Sequence, residues 1–414
     1  THYKKDENLF YKNINLILSL TIIIGISFFC MFWFSIEWIS NNLYDEAIRI
    51  PLMITAFSFP LIALIRNLNS LTTIKKTLLH KTISEEIIWY LTFMIGLIYV
   101  IIFDKSSQFI YFFILLSFIM SLLYSVISTA NIFTKFSYKF SFDSSKYKMY
   151  LKYSLPTLFA GIFNFTTLHI NRLMVGSLIG LSYSSFYHRA AILTLFFPLV
   201  IQSFVGILNP IIRENYVEGN IDKVHKIYKD ITKVIILINL PIALALIFCG
   251  HQLLEIFFGV EHLEDIVLSL KILSLNFLFI SFAGPVVSVF IMCDMQQKWM
   301  KINFYSLLIG ITTSYILISN YGIIGAAIST FISANFLYFY AVLFIKKKLG
   351  ILPITKNDLF KISISSLFII LVYICIPFSN LFACLFLILF NFLLFLYILN
   401  KLKFRVDNFK VFFK

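Results

Sequence analysis

Apolar runs of about 20 residues recur along the chain, separated by shorter polar segments, and a helix crossing the ~30 Å hydrocarbon core of a bilayer needs about that length. The runs predict membrane-spanning helices over 14–37, 48–65, 85–103, 109–131, 153–179, 182–208, 231–249, 266–292, 302–319, 322–345, 360–377 and 380–400. The polar segments alternate in character. Those at 1–13, 66–84, 132–152, 209–230, 293–301, 346–359 and 401–414 carry the lysines, among them Lys75, Lys76, Lys81, Lys135, Lys139, Lys146, Lys148, Lys152, Lys346, Lys347 and Lys348. The segments between them are short or acidic, as with Asp45 and Glu46, or Glu255, Glu261, Glu264 and Asp265. Of 34 Lys plus Arg, only Arg49, Lys105, Arg172, Arg189 and Lys271 lie away from the lysine-bearing set. Cytoplasmic loops hold the excess of cations in membrane proteins, so this alternation places both ends of the chain in the cytoplasm.

Two connections stand out. The segment 131–152 interleaves aromatics with lysines, as expected of an amphipathic stretch lying along the inner interface, and 346–361 sets off the last helix pair. The resulting division is an incomplete four-helix lobe over 1–131, an interfacial linker over 132–152, a six-helix lobe over 153–345, and a final helix pair with a basic tail over 346–414. A first residue Thr1 and a four-helix lobe followed by a six-helix one suggest a duplicated design whose first two helices precede this sequence.

Composition narrows the class. With 60% hydrophobic residues, 13% charged and a mean hydropathy of +0.90, the chain is far more apolar than soluble domains. The expected fold is all-α, a polytopic membrane protein of about twelve transmembrane helices. The net charge of +14 is accounted for by the loop lysines, which set topology and touch anionic headgroups, so no nucleic-acid partner is expected. The five cysteines lie in or beside apolar runs without metal-type spacing, which reads as packing. No HExxH, P-loop, GxSxG or paired-carboxylate arrangement occurs, and no extramembrane stretch is long enough for a catalytic domain. Neither an enzyme nor a bound metal or cofactor is expected. Trp38, Trp89 and Trp299 fall at helix ends and read as interfacial anchors.

The chemistry concentrates in 150–220. Arg172 sits within FNFTTLHINRLMVGSLIG and Arg189 within SYSSFYHRAAILTLFFPLV. A charge at the bilayer centre costs about 3 kcal/mol on insertion scales and faces a partner or a wet cavity. Each arginine lies about eight residues from the turn at 180–182, hence ~12 Å below the outer end of its helix. Only six arginines occur, and Arg49, Arg172 and Arg189 lie inside or at the outer edge of a span, against one lysine, Lys271. Guanidinium pairs with phosphate bidentately and keeps its charge when desolvated. A cationic lumen of Arg172, Arg189, Lys271 and Arg49 is one reading; snorkelling of these long side chains to the outer headgroups is the other. Thr157, Gly161, Asn164, Phe165, Leu168, His169, Arg172 and Gly176 share one side of the fifth span. That stripe suits a wet surface, with Asn164, His169 and Asn171 as supporting polar groups, or close helix packing. His188 and His169 neighbour the arginines and are candidates to titrate or, equally, hydrogen-bonded structural histidines. Glu37, near an outer helix end, reads first as an interfacial carboxylate, with pairing to Arg49 or binding of a coupling ion as the alternatives. Prolines interrupt several spans, Pro60 and Pro285 being the most suggestive of a broken helix.

These residues resemble the polysaccharide (O-antigen, Wzx-type) flippases of the multidrug/oligosaccharidyl-lipid/polysaccharide exporter superfamily. The similarity lies in YSLPTLFAG entering the fifth span, NRLMVGSLIG leaving it and SFYHRAA after it, then NPIIRENYVEGNIDKV, IFFGVEHLED and NYGIIGAAISTFIS, and it extends from about Tyr153 to Leu349. The resemblance implies two six-helix lobes plus a final pair in a bacterial inner membrane. It also implies a cationic lumen and flipping of an undecaprenyl-pyrophosphate-linked oligosaccharide from inner to outer leaflet, with a glycan polymerase and other polysaccharide-assembly proteins as possible partners. Members of the family often have Asp before the arginine that ends the fifth span, where this chain has Asn171. A multidrug or small-cation exporter of the same superfamily would need an intramembrane carboxylate. An integral-membrane glycan polymerase would show an outer loop larger than 250–265.

Overall fold

In the computed structural model, residues 7–42, 49–74, 79–104, 108–134, 138–141, 143–259, 263–375 and 390, 391, 393, 395 and 397 are described. Among them the chain is helical apart from short turns and connections, and the last predicted span lies largely outside. Eight of the described helices are individually long and apolar enough to cross a membrane. The chain is an all-α, multi-pass membrane protein. It divides into two compact units, Thr1–Leu151 and Lys152–Lys414.

The first unit holds α1 (Glu7–Asn42), α2 (Arg49–Ile74), α3 (Leu79–Ile102) and α4 (Gln108–Ile132). α2 packs on α1 and α4, and α3 packs on α4. Lipid tails are as apolar as leucine, so polar bonds and close approach do much of the work of helix association in a bilayer. Here the buried Asn69 of α2 donates to Glu85 at 2.9 Å and accepts from Ser125 at 3.0 Å, fastening α2 to α3 and α4. α2 runs unbroken through Pro60, which lies against Gly25 of α1, where a Cβ would come within 3.0 Å of the proline backbone. Glu37, exposed as an interfacial carboxylate would be, also meets Arg49 at 3.7 Å, the pairing held as an alternative from sequence. In the linker, residues 138–141 are non-helical and bonded to Ser19, whose hydroxyl accepts the Ser141 N–H at 3.1 Å. A helix resumes at Ser144.

The second unit begins within that helix, α5 (Ser144–Leu178), and continues through α6 (Leu181–Leu193), α7 (Phe196–Val217), α8 (Ile221–Phe258), α9 (Leu263–Ala283), α10 (Val286–Met292), α11 (Gln296–Leu349) and α12 (Lys356–Cys375). The sixth predicted span is thus two helices, broken at Thr194 and Leu195. The eighth is broken at Gly284 and Pro285, as Pro285 suggested. Gly284 has φ +59°, and a Cβ there would overlap Thr232 of α8. The Ala283 carbonyl at this break finds a partner on α8, accepting from the Tyr228 hydroxyl at 2.6 Å, and close by the Asn239 amide donates to the Ser281 hydroxyl at 2.8 Å. α11 contains the ninth and tenth predicted spans as an antiparallel hairpin reversed at Gly322 (φ 57°, ψ −133°). Gly325 lies so close to the Leu317 carbonyl that a side chain cannot fit. Trp299 is core rather than interfacial, 5% exposed and 5.3 Å from the Phe290 ring.

α8 is the spine of this unit, packing against α7, α9 and α12. Near its lysine-bearing end Lys233 forms a buried ion pair with Asp358 of α12, 3.0 Å long, with the side chains 8% and 10% exposed.

Candidate functional site

α5 ends at Leu178 and α6 starts at Leu181 because Gly180, at φ +122°, turns the chain in a conformation that L side chains rarely adopt. The turn is tight, and the Ser184 hydroxyl donates to the Arg172 carbonyl at 2.9 Å, joining the two helices beside the arginine.

α5 has two distinct sides. On one, Ala160, Asn171 and Val175 are buried. The Asn171 amide donates to Thr330 at 2.6 Å, and its carbonyl oxygen accepts from Ser314. Ser314 in turn bonds Ser329 at 2.7 Å, and Tyr187 of α6 bonds Thr330 at 2.9 Å. This is a closed polar seam joining α5 and α6 to both arms of α11. Of the three supporting groups expected from sequence, Asn171 is therefore turned into helix packing, away from the side that carries Arg172. On that other side Gly161, Phe165, Leu168, His169 and Arg172 are exposed, with Asn164 half-buried at its edge. A Cβ built on Gly161 meets nothing, which marks this side as open. The His169 ring lies 4.3 Å from Phe165.

The structure brings Arg172, His169 and His188 together: both Arg172 and His169 act electrostatically on His188 of α6. Among the described residues no carboxylate lies within ion-pair distance of Arg172. Arg189 has different surroundings. Its guanidinium donates to the Phe258 carbonyl at 3.3 Å, at the C-terminus of α8, and lies over the Phe186 and Phe258 rings at 5.1 and 6.0 Å. A cation there meets the carbonyl-rich end of a helix dipole. Lys271 is half-buried on α9, a helix that packs against α6, α8 and α11. Arg49 belongs to the first unit, paired with Glu37. Sequence reasoning missed Lys233, whose position at the start of an apolar run placed it with the loop lysines, and its partner Asp358. Among the described residues no group of His, Cys, Asp and Glu is arranged to hold a metal ion.

The family of polysaccharide biosynthesis proteins matches residues 4–267. The chain belongs to that family. Its fold recurs in solved structures of low identity. The lipid II flippase MurJ, in an inward closed conformation, superposes with a TM-score of 0.69 at 18% identity, over 97% of this chain and 85% of that one. A MATE protein in a bent conformation gives 0.67 at 14% identity, over 80% and 77%. A MOP superfamily transporter from Pyrococcus furiosus, described by the reverse polarity of its binding pocket, gives 0.68 at 14% identity, over 82% and 78%. No curated protein matches the chain.

Proposed function

We propose that this member of the polysaccharide biosynthesis family is a flippase. It moves an undecaprenyl-pyrophosphate-linked oligosaccharide, an O-antigen or capsule repeat unit, from the inner to the outer leaflet of a bacterial plasma membrane by alternating access. The observation that carries the reading is Arg172, exposed on the unpacked side of α5 beside two histidines and, among the described residues, without a carboxylate partner. A guanidinium in that position calls for an anion, and pyrophosphate offers paired oxygens that its fork matches. Arg189 and Lys271 contribute positive potential to the route rather than primary contacts. The isoprenoid tail stays in the bilayer, and a glycan polymerase or other assembly protein takes the product at the outer face. The likeness to MATE proteins does not favour cation export, because the open side of α5 presents Arg172 and His169 where a cation would need a carboxylate.

The test is complementation of a host whose surface polysaccharide depends on this chain. Arg172→Ala, expressed at the wild-type level, lowers surface polysaccharide at least about tenfold, the worth of one hydrogen bond to a charged group. Arg172→Lys restores part of it. Full complementation by Arg172→Ala would remove the assignment.

A further inference from the structure

Between α1 and α2 runs a half-open groove of about 310 Å³. Gly25 and Ala63 form its floor, Phe28 and Phe59 its walls, and Thr21 and Asn67 one end. That end is polar but already satisfied, since the Asn67 amide donates to the Thr21 hydroxyl at 3.1 Å and to the Ala63 carbonyl at 3.0 Å. At the other end the Phe28 and Phe59 rings are 6.5 Å apart, and Phe32 meets Phe59 edge-on at 5.4 Å. Phe59 and Asn67 are eight residues apart, hence ~12 Å along the helix. α2 ends at Ile74, just before Lys75 and Lys76. The lysine rule therefore turns the Asn67 end toward the cytoplasm and the aromatic end toward mid-membrane. Arg66 stands beside Asn67, exposed, and among the described residues no carboxylate lies within ion-pair distance of it.

A groove walled by rings and alkyl groups offers water too few unspent partners, so its fitting occupant is hydrocarbon. The guanidinium at its cytoplasmic end matches a phosphate bidentately. Together they complement a lipid of the inner leaflet with an anionic head. A glycerophospholipid carries two chains and a prenyl lipid one, and a single groove takes one chain. We propose that the α1–α2 groove holds the tail of a polyprenyl diphosphate in the inner leaflet, with its phosphate on Arg66. The proposal rests on the transport reading above and adds where the substrate is held before it crosses.

Photocrosslinking decides it. The purified chain is placed in nanodiscs of phosphatidylethanolamine and phosphatidylglycerol that hold radiolabelled undecaprenyl diphosphate. In one preparation p-benzoylphenylalanine replaces Phe59, and in another Ile98, on the exposed surface of α3. On irradiation the Phe59 position captures label several-fold above the Ile98 position. Arg66→Gln lowers that capture about tenfold, the worth of one hydrogen bond to a charged group. Ala63→Leu, which fills the floor, lowers it to the Ile98 level, and added phosphatidylglycerol leaves it unchanged. Equal capture at both positions would make the groove ordinary lipid-facing surface and overturn the proposal. Capture lost to phosphatidylglycerol would make it a phospholipid site, and capture indifferent to Arg66→Gln or Ala63→Leu would place head or tail elsewhere; each also overturns it. Full export by Arg172→Ala removes the transport assignment without changing capture at Phe59, so the two failures are told apart.

Discussion

Arg172 and Arg189 lie on consecutive helices, yet their side chains keep different company. Arg172 is exposed beside His169 and His188, whereas Arg189 bonds a carbonyl 69 residues further along and lies over two aromatic rings. Removing Arg189 strips a charged cap from α8 and leaves the Phe258 carbonyl unsatisfied. Arg189→Gln is therefore expected to lower stability by about 1–2 kcal/mol, seen as a lower melting temperature in detergent. Arg172→Gln, with no such partner, stays within about 0.5 kcal/mol of wild type. A normal melting temperature for Arg189→Gln combined with lost export would return Arg189 to the substrate. The sequence showed both arginines at one depth and could not separate them, because what distinguishes them is Phe258, brought close by the fold. Asn171 carries the same lesson: its spacing put it near the polar stripe, and its partners Thr330 and Ser314 turn it into the seam with α11.

At the scale of elements, α8 ties the terminal helix to its unit through Lys233 and Asp358. Burial alone would raise the Asp358 carboxyl; the Thr355 hydroxyl and the Lys233 ammonium outweigh it and hold the group below its usual value of 3.8. A carboxyl lowered on folding adds stability above its unfolded pKa and loses it as pH falls through the folded one. Asp358→Asn strands a buried ammonium and is expected to cost about 3 kcal/mol. Lys233→Met with Asp358→Leu recovers most of that loss, since an apolar pair needs no desolvated charges. In detergent melts the gap between wild type and Asp358→Asn holds steady from pH 7 to about 5, narrows once pH falls below the usual carboxyl value of 3.8, and closes only as pH falls through the lowered folded value, where the wild-type carboxyl is protonated too. A gap that persists at low pH would place the effect elsewhere. The same helix explains what could be read of the broken spans. Pro285 signalled the break between α9 and α10, but the features that shape it, Thr232 against Gly284 and Tyr228 on the Ala283 carbonyl, are tertiary. Pro60 gave the same signal inside a helix that stays continuous.

For the whole molecule, length and polarity were enough to read the class and most spans, because a bilayer admits only helices or closed barrels and fixes how long each helix must be. That also accounts for a shared fold at 14–18% identity: the constraint acts on pattern, and many apolar sequences satisfy it. Interior packing is held by particular polar pairs, so it was not legible in the same way. Orientation depends on the pattern too, through the lysines, and it fixes the direction of any flipping. If the lysine-bearing ends are cytoplasmic, an impermeant thiol reagent added to intact cells modifies Ser182→Cys in the first turn of α6, and Lys347→Cys at the end of α11 reacts only after the membrane is opened. Each loop cation contributes about 1 kcal/mol toward the anionic leaflet, so Lys346, Lys347 and Lys348 together tolerate the loss of one charge without inversion. The reverse labelling pattern would put Arg172 near the inner leaflet, and the proposed movement would then begin at the site where it is now thought to end.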